Sequence, residues 1–373
     1  MGEGYLIDLA EVDKIYPLMV EYRRHIHENP ELGMDTVETK NYVKKLASDL
    51  GFSIREVGNG LIVDYGTNPR IALRADMDSL PIVEETGLKF SSKVSGRMHA
   101  CGHDLHTAVL MGAMVYSKRT NLKPVRFIFQ PGEEIGQGAA MMIEGGALEG
   151  IANTFGLHVW PSLNVSEYSI CRGKAMAAVD SFEIRVKGSG GHGAYPHLAY
   201  DSVLESARII QYLLTVPARK IDPLNSAVLS IGYVNGGKAK NIIPAQVNIG
   251  GTVRTYTRED SETIEREVTK FRGEHVEVNY VRELPPLVND EKLAGKIDSV
   301  ASKYLKPVAA RPTMGGEDFA FYCSRVPSVF AFLGTGKIKG IEVSKHSSVF
   351  DVNEDALKYG LLLHLSAIEA LSS

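Results

Sequence analysis

The 373-residue sequence predicts an α/β chain: a three-layer domain around a central, mostly parallel sheet, interrupted by a smaller ferredoxin-like α+β domain. Strand-like and helix-like stretches alternate up to Val159, as a parallel sheet with crossover helices requires. The rhythm changes near Gly173, after which the order becomes strand, helix, strand, strand, helix, strand, the split unit of ferredoxin-like folds. Pro285-Pro286 then offers a return linker. These observations set the larger domain at 1–174 and 288–373 and the inserted one at 175–287.

Residues 11–28 and 36–50 have helical spacing, and Asn29-Pro30 stops the first, because a residue before proline avoids helical geometry. Residues 61–65 and 70–74 read as strands, and 107–117 as an apolar helix. A strand at 125–130, a helix at 138–144 and a strand at 154–159 follow. In the insertion, residues 179–186 alternate apolar and polar as a half-buried strand does, and 201–215 form an amphipathic helix. Strands at 227–234 and 246–256, a helix at 260–271 and a strand at 276–281 complete it. Helices at about 290–305 and 352–371 return the chain to the first domain.

Charged residues make up 23% of the chain and the net charge is -4. No Lys/Arg run is long enough for a phosphate-binding patch, so no nucleic-acid partner is expected. No segment has the ~18 continuous apolar residues of a membrane span. The start lacks a basic stretch followed by an apolar one, so no secretion signal is read there. Cys101, Cys171 and Cys323 are widely spaced and make no disulfide framework, which fits a reduced, cytoplasmic setting.

Chemistry concentrates in His99-Ala-Cys-Gly-His-Asp-Leu-His106. A thiolate and an imidazole two residues apart, with glycine between, can both reach one divalent ion or a close pair. His99 and His106 read as packing or supporting residues. Glu133-Glu134 follows a buried strand through Pro131-Gly132. Adjacent carboxylates repel unless a cation sits between them or one is protonated. A two-metal hydrolase uses such a pair as one ligand and one proton acceptor. Asp76 and Asp78 alternate to one side of a strand end, where one could ligate a metal or both could hold ligand histidines; the supporting role is favoured. With His158 in a strand and His346 in a polar loop, Cys101, His103, Glu134, His158 and His346 supply mixed N, O and S donors for two divalent ions. That mixture suits Zn, Mn, Co or Ni better than Mg or Ca.

Together these motifs resemble the aminoacylase/carboxypeptidase clan of two-metal peptidases. The similar branch holds hippurate hydrolases, N-acyl amino acid amidohydrolases, plant indole-acetyl-amino acid hydrolases and N-acetyldiaminopimelate deacetylase. The matching stretches are 24–33, 74–81, 99–104, 130–134, 156–159, 190–197, 315–319 and His346. The resemblance implies that Cys101 is the shared ligand, with His103, Glu134, His158 and His346 as the others, and that Glu133 is the general base. It also implies that 175–287 is a lid and a homodimerisation unit, and that His192 polarises the scissile carbonyl, in its own site or the partner's. Asn241 and Arg254 would hold the substrate carboxylate or the oxyanion, and Gly315 and Gly316 would line the substrate. Asp76 stands where many relatives carry a metal-binding histidine, and Cys101 where they bridge with aspartate, so the metal preference of zinc aminopeptidases does not transfer. The expected reaction is hydrolysis of an N-acyl amino acid, a small-molecule substrate. Two other readings stand beside it, a dipeptidase or aminopeptidase of short peptides and a non-catalytic metal-binding scaffold. A free α-amine needs an acidic anchor that the sequence does not display, and a scaffold would have lost Glu133 or a ligand.

Overall fold

The computed structural model describes residues 7–338 and 343–372. The chain begins with helices α1 (Leu9–Glu28) and α2 (Val37–Asp49) and strands β1 (Ser53–Val57), β2 (Gly60–Tyr65) and β3 (Ile71–Asp76). Helix α3 (His103–Thr120), β4 (Val125–Gln130), α4 (Gly138–Glu144), β5 (Asn153–Trp160), β6 (Glu167–Ser169) and β7 (Gly173–Met176) follow. Next come β8 (Ala178–Lys187), β9 (Gly191–His192), α5 (Ser202–Leu213), α6 (Val216–Lys220), β10 (Ala227–Gly236), β11 (Ile242–Ile243) and β12 (Gln246–Thr255). The rest is α7 (Arg258–Thr269), β13 (Val276–Leu284), β14 (Leu287–Asn289), α8 (Glu291–Ala301), β15 (Lys306–Pro307), α9 (Ala320–Cys323), β16 (Ser328–Gly334) and α10 (Ala356–Leu371).

The chain divides into two units, one of residues 1–175, 288–311 and 318–373 and one of 176–287 and 312–317. The first holds an eight-stranded sheet in the order β1-β2-β4-β3-β5-β16-β6-β15. Its central four strands are parallel, and antiparallel pairs flank them. Buried on both faces, these strands read as apolar runs rather than alternating ones. Phe127, Phe129, Phe155, Leu157 and Val159 join the apolar faces of α1, α3, α8 and α10 in one core. Short helices α4 and α9 contact β4 and β16.

The second unit has a four-stranded sheet in the order β10-β12-β8-β13, every pair antiparallel, which is the ferredoxin-like order. Ile209 and Leu213 of α5 and Ile264 and Val268 of α7 pack on Phe182, Ile184 and Val186 of β8. Their spacing of four residues is what lays one helix stripe on a sheet.

Several boundaries differ from the sequence reading, and eight strands were absent from it: β1, β16 and the short β6, β7, β9, β11, β14 and β15. Helix α3 starts at His103, not Thr107, because Gly102 at φ +90 turns the chain sharply into the first helical turn. The short apolar run of β16 has no alternation to betray it, yet it pairs with β5 along seven residues. Strand β1 is an exposed edge whose polar residues mask it.

Candidate metal centre

In the larger unit the parallel register places Asp76 opposite Gln130 and Arg74 opposite Gly156. The C-terminal ends of β3, β4 and β5 thus bring Asp76, the Gln130–Glu134 turn and His158 to one edge of the sheet, where ligands bind in open α/β folds. Gly132, at φ +69, makes the turn. An added Cβ there would meet the Met34 sulfur at 2.3 Å. Asp78 then holds the turn, accepting the amides of Glu133 and Glu134 at 3.1 Å each.

Six of the expected residues converge, the five expected ligands and Glu133. Donor atoms of Cys101, His103 and His158 lie within 4.8 Å of one another, as do those of Cys101, Glu134 and His346 and those of His103, Glu133 and Glu134. Cys101 Sγ is 3.4 Å from His158 Nε2, and His346 Nε2 is 3.5 Å from Glu134 Oε1. The ring orientations fit metal binding. His103 donates Nδ1–H to the Asp78 carbonyl at 2.8 Å, and His158 donates Nδ1–H to the Val159 carbonyl at 2.8 Å. Each therefore leaves Nε2 on the inward side, the usual second-layer support of a ligating histidine. His103 Nε2 and Glu134 Oε1 are buried without a hydrogen-bond partner among the described residues, and such atoms are rare unless an ion or water completes them.

Electrostatics agree. Burial, then the Lys345 ammonium, hold His158 neutral, well below its ordinary range. Burial pushes His103 down, but the Asp76 carboxylate, a hydrogen bond to Asp78 and the neighbouring Cys101 outweigh it and raise the imidazole well above 6.5. Hydrogen bonds to Cys101 and Glu134 raise His346 to about 10. Without a cation, protons on these rings balance the surrounding anions.

His106 is a packing and orienting residue. Its Nδ1 is 2.7 Å from Asp76 Oδ1, and its Nε2 accepts the Val159 amide at 2.9 Å. Both nitrogens are engaged, so neither can face a metal. His99 is buried with neither nitrogen hydrogen-bonded among the described residues, and burial lowers it to about 3. The alternation assumed for Asp76 and Asp78 ends with the strand at Asp76, and the two carboxylates do different jobs. Asp76 accepts from His106 and, through Oδ2, from Arg74 Nη1 at 2.7 Å.

Arg74 belongs to a buried network that sequence reasoning missed. Its Nη2 donates to Asp318 at 2.7 Å and its Nε to Gln130 at 2.9 Å. Asp318 also accepts from Gln130 Nε2 and the Ala139 amide. Burial pushes Asp318 up to about 6, still ionised at neutrality. The signal was present, since Arg74, Gln130 and Asp318 each sit inside a motif quoted above. A second cluster, Arg23 and His27 on Asp104, draws His27 and Asp104 from two of those motifs.

In the smaller unit His192 is exposed on the β9–β11 ribbon, paired with Ile242, so Asn241 lies beside it in the same ribbon. Arg254 is half-buried on β12, and its Nη1 has no hydrogen-bond partner among the described residues. Burial lowers its pKa. Gly316 has a packing reason to be glycine, because a Cβ would come within 2.4 Å of Val179. The Ala177 amide donates to the Gly315 carbonyl at 3.0 Å.

A parallel-sheet unit with such a donor cluster at its strand ends defines a metallohydrolase. The chain belongs to peptidase family M20/M25/M40, whose pattern matches residues 72–370, and it is a metal-dependent amidohydrolase. It is 38% identical to the N-acetyl-L-cysteine deacetylase of Bacillus subtilis (strain 168), over 100% of this chain and 92% of that one. It is 36% identical to the IAA-amino acid hydrolase ILR1-like 4 of Arabidopsis thaliana, covering 96% and 87%. Among solved structures, the Bacillus subtilis YXEP protein, described as a dinuclear metal-binding peptidase of the M20 family, superposes with a TM-score of 0.82 at 34% identity, covering 96% of this chain and 99% of that one. No helix among the described residues is long and apolar enough to cross a membrane.

Proposed function

We propose that the protein hydrolyses the amide bond of N-acyl L-amino acids, releasing a carboxylic acid and a free amino acid, with two divalent cations held by Cys101, His103, Glu134, His158 and His346. The observation that carries this reading is the convergence of those five donors, two of whose buried ligand atoms, His103 Nε2 and Glu134 Oε1, have no hydrogen bond among the described residues. The relatives named for deacetylation of N-acetyl-L-cysteine and hydrolysis of IAA-amino acids support the substrate class. When bound, such cations lower the pKa of water and polarise a carbonyl. Zn, Mn, Co and Ni all suit the donor set.

Glu133 is the general base. It takes the proton of the attacking water and returns it to the leaving amine. Asp78 orients Glu133 and Glu134 through their amides, and Asp76 fixes His106. On the smaller unit, proposed as a lid and homodimerisation element, His192 and Asn241 stabilise the oxyanion, and Arg254 takes the substrate carboxylate through its unpaired Nη1. Gly315 and Gly316 keep the neighbouring loop close to the substrate. Glu133→Gln tests the base: turnover should fall roughly 10²–10⁴-fold while both metals stay bound. Near-normal turnover would refute the assignment. A panel of N-acetyl, N-benzoyl and indole-acetyl amino acids against free dipeptides tests the substrate class, and preference for the dipeptides would overturn it.

A further inference from the structure

His346 occupies an unusual backbone position. Its φ is +63, a left-handed geometry that costs a non-glycine residue energy and must be imposed by its surroundings. Its own amide donates to the Ala100 carbonyl at 2.8 Å. Downstream, Ser348 Oγ donates to Glu85 at 2.6 Å, and the Glu85 amide donates to the Ser348 carbonyl at 2.8 Å. Both contacts reach only the long irregular connection between β3 and α3. Upstream, Lys345 reaches the sheet with its Nζ 4.3 Å from the ring centre of Trp160.

Trp160 ends β5 two residues after His158, and its ring packs on Phe332 of β16 with centroids 4.6 Å apart. The ring is therefore a fixed platform on two central strands. An ammonium this close to His158 and His346 opposes the binding of a divalent cation by like-charge repulsion. A side chain with four rotatable bonds and water within reach would be expected to leave. Its place over the indole face means that the ring's attraction for a cation offsets both effects.

From this geometry we infer that Lys345 and Trp160 form a clamp that positions His346, joining the segment that carries it to the strand that carries His158. The inference rests on the metal-site assignment proposed above. Lys345 and Trp160 are positioning residues, acting on a ligand and touching neither cation nor substrate. The clamp acts chiefly on the ion bound by Cys101, Glu134 and His346, and the other ion feels Lys345 only as a charge near His158.

Trp160 is the chain's single tryptophan, so its emission reports this contact alone. Zinc, which does not quench by paramagnetism, is titrated into the chelator-treated full chain and followed by calorimetry and tryptophan emission. Wild type should bind two equivalents, with an emission change accompanying one step. In Lys345→Met that step should weaken roughly two- to fivefold, the range of a partly exposed cation–π contact, and its emission change should vanish. The other step should change by a smaller factor. Lys345→Arg, which keeps a cation over the ring, should restore both affinity and signal. Trp160→Leu, followed by calorimetry, should reproduce the loss. Unchanged zinc affinities in Lys345→Met, or failure of Lys345→Arg to rescue, would overturn the clamp. Cys101→Ser separates the two layers of inference: if it binds two zinc ions as wild type does, the metal-site assignment fails and the clamp falls with it.

Discussion

Replacing Gly102 with alanine perturbs the hinge between Cys101 and His103 in two calculable ways. The residue sits at φ +90, where an L side chain is strained by about 1–2 kcal/mol. Its new Cβ would stand 2.4 Å from Val159 Cγ2, and Val159 is fully buried, so the neighbour cannot swing into solvent. Forcing a methyl into a filled core costs about 1–3 kcal/mol. The sum is a loss of roughly 2–5 kcal/mol, read as a lower denaturant midpoint at unchanged slope. Because Val159 follows His158 directly, relief of the clash by strand movement should also weaken zinc binding. The refuting measurement is a double-mutant cycle. Val159→Ala opens the space that the new Cβ needs, so the pair should show a favourable coupling of about 1–2 kcal/mol. Additive single effects, or a Gly102→Ala protein as stable as wild type, would show that the close approach does not constrain this turn.

Other expectations follow from the buried charges. Arg74→Met leaves Asp76 and Asp318 without their shared cation and should destabilise by about 3–5 kcal/mol in chemical denaturation; a loss under 1 kcal/mol would argue against the network. Chelation of a protein held at a hundred times the metal Kd should remove about 2.7 kcal/mol per site, provided the unfolded chain binds no metal, and a midpoint indifferent to chelator would speak against folded-state binding. The His27–Glu84 pair sets a pH window. Burial lowers His27, but hydrogen bonds to Asp104 and Glu84 raise it to about 9, so its contribution is full below pH 6.5 and disappears as pH rises through 9. Burial raises Glu84, but His27, Thr86 and the Ser92 amide lower it from 4.5 to about 2, so its contribution is full above pH 4.5 and disappears as pH falls towards 2. The stability gap between wild type and His27→Gln should therefore be widest between those limits, and a gap independent of pH would contradict the pairing.

Much of the architecture was legible because punctuation and composition agreed. Strand Val125–Gln130 lies between Pro124 and Pro131, and helix Gly138–Glu144 follows a glycine-rich turn, so both ends of each were readable. Strand Ser328–Gly334 was not legible, since a seven-residue apolar run fits a buried strand or a helix fragment equally well. The converging residues were legible as a group, because a dense Cys/His motif, paired glutamates after a buried strand and His158 in another strand pointed to one site. What each histidine does was not. His106 and His103 lie one turn apart on one helix, yet the partners that separate them are Asp76, the Val159 amide and the Asp78 carbonyl, all distant in sequence. Lys345 gave no local sign, because its partner Trp160 is identified only by three-dimensional proximity.

Arg74 precedes Asp76 by two residues on one face of one strand, so this acid acquires its counter-ion in the act of folding. A newly made chain can thus close over its acids before meeting a metal, unlike small zinc domains that stay unfolded until loaded. The apoprotein is then a finished receptacle, and occupancy is decided afterwards by supply. Which transition ion it carries should follow the pool it encounters, as expected where raw affinity orders the metals more than it selects among them.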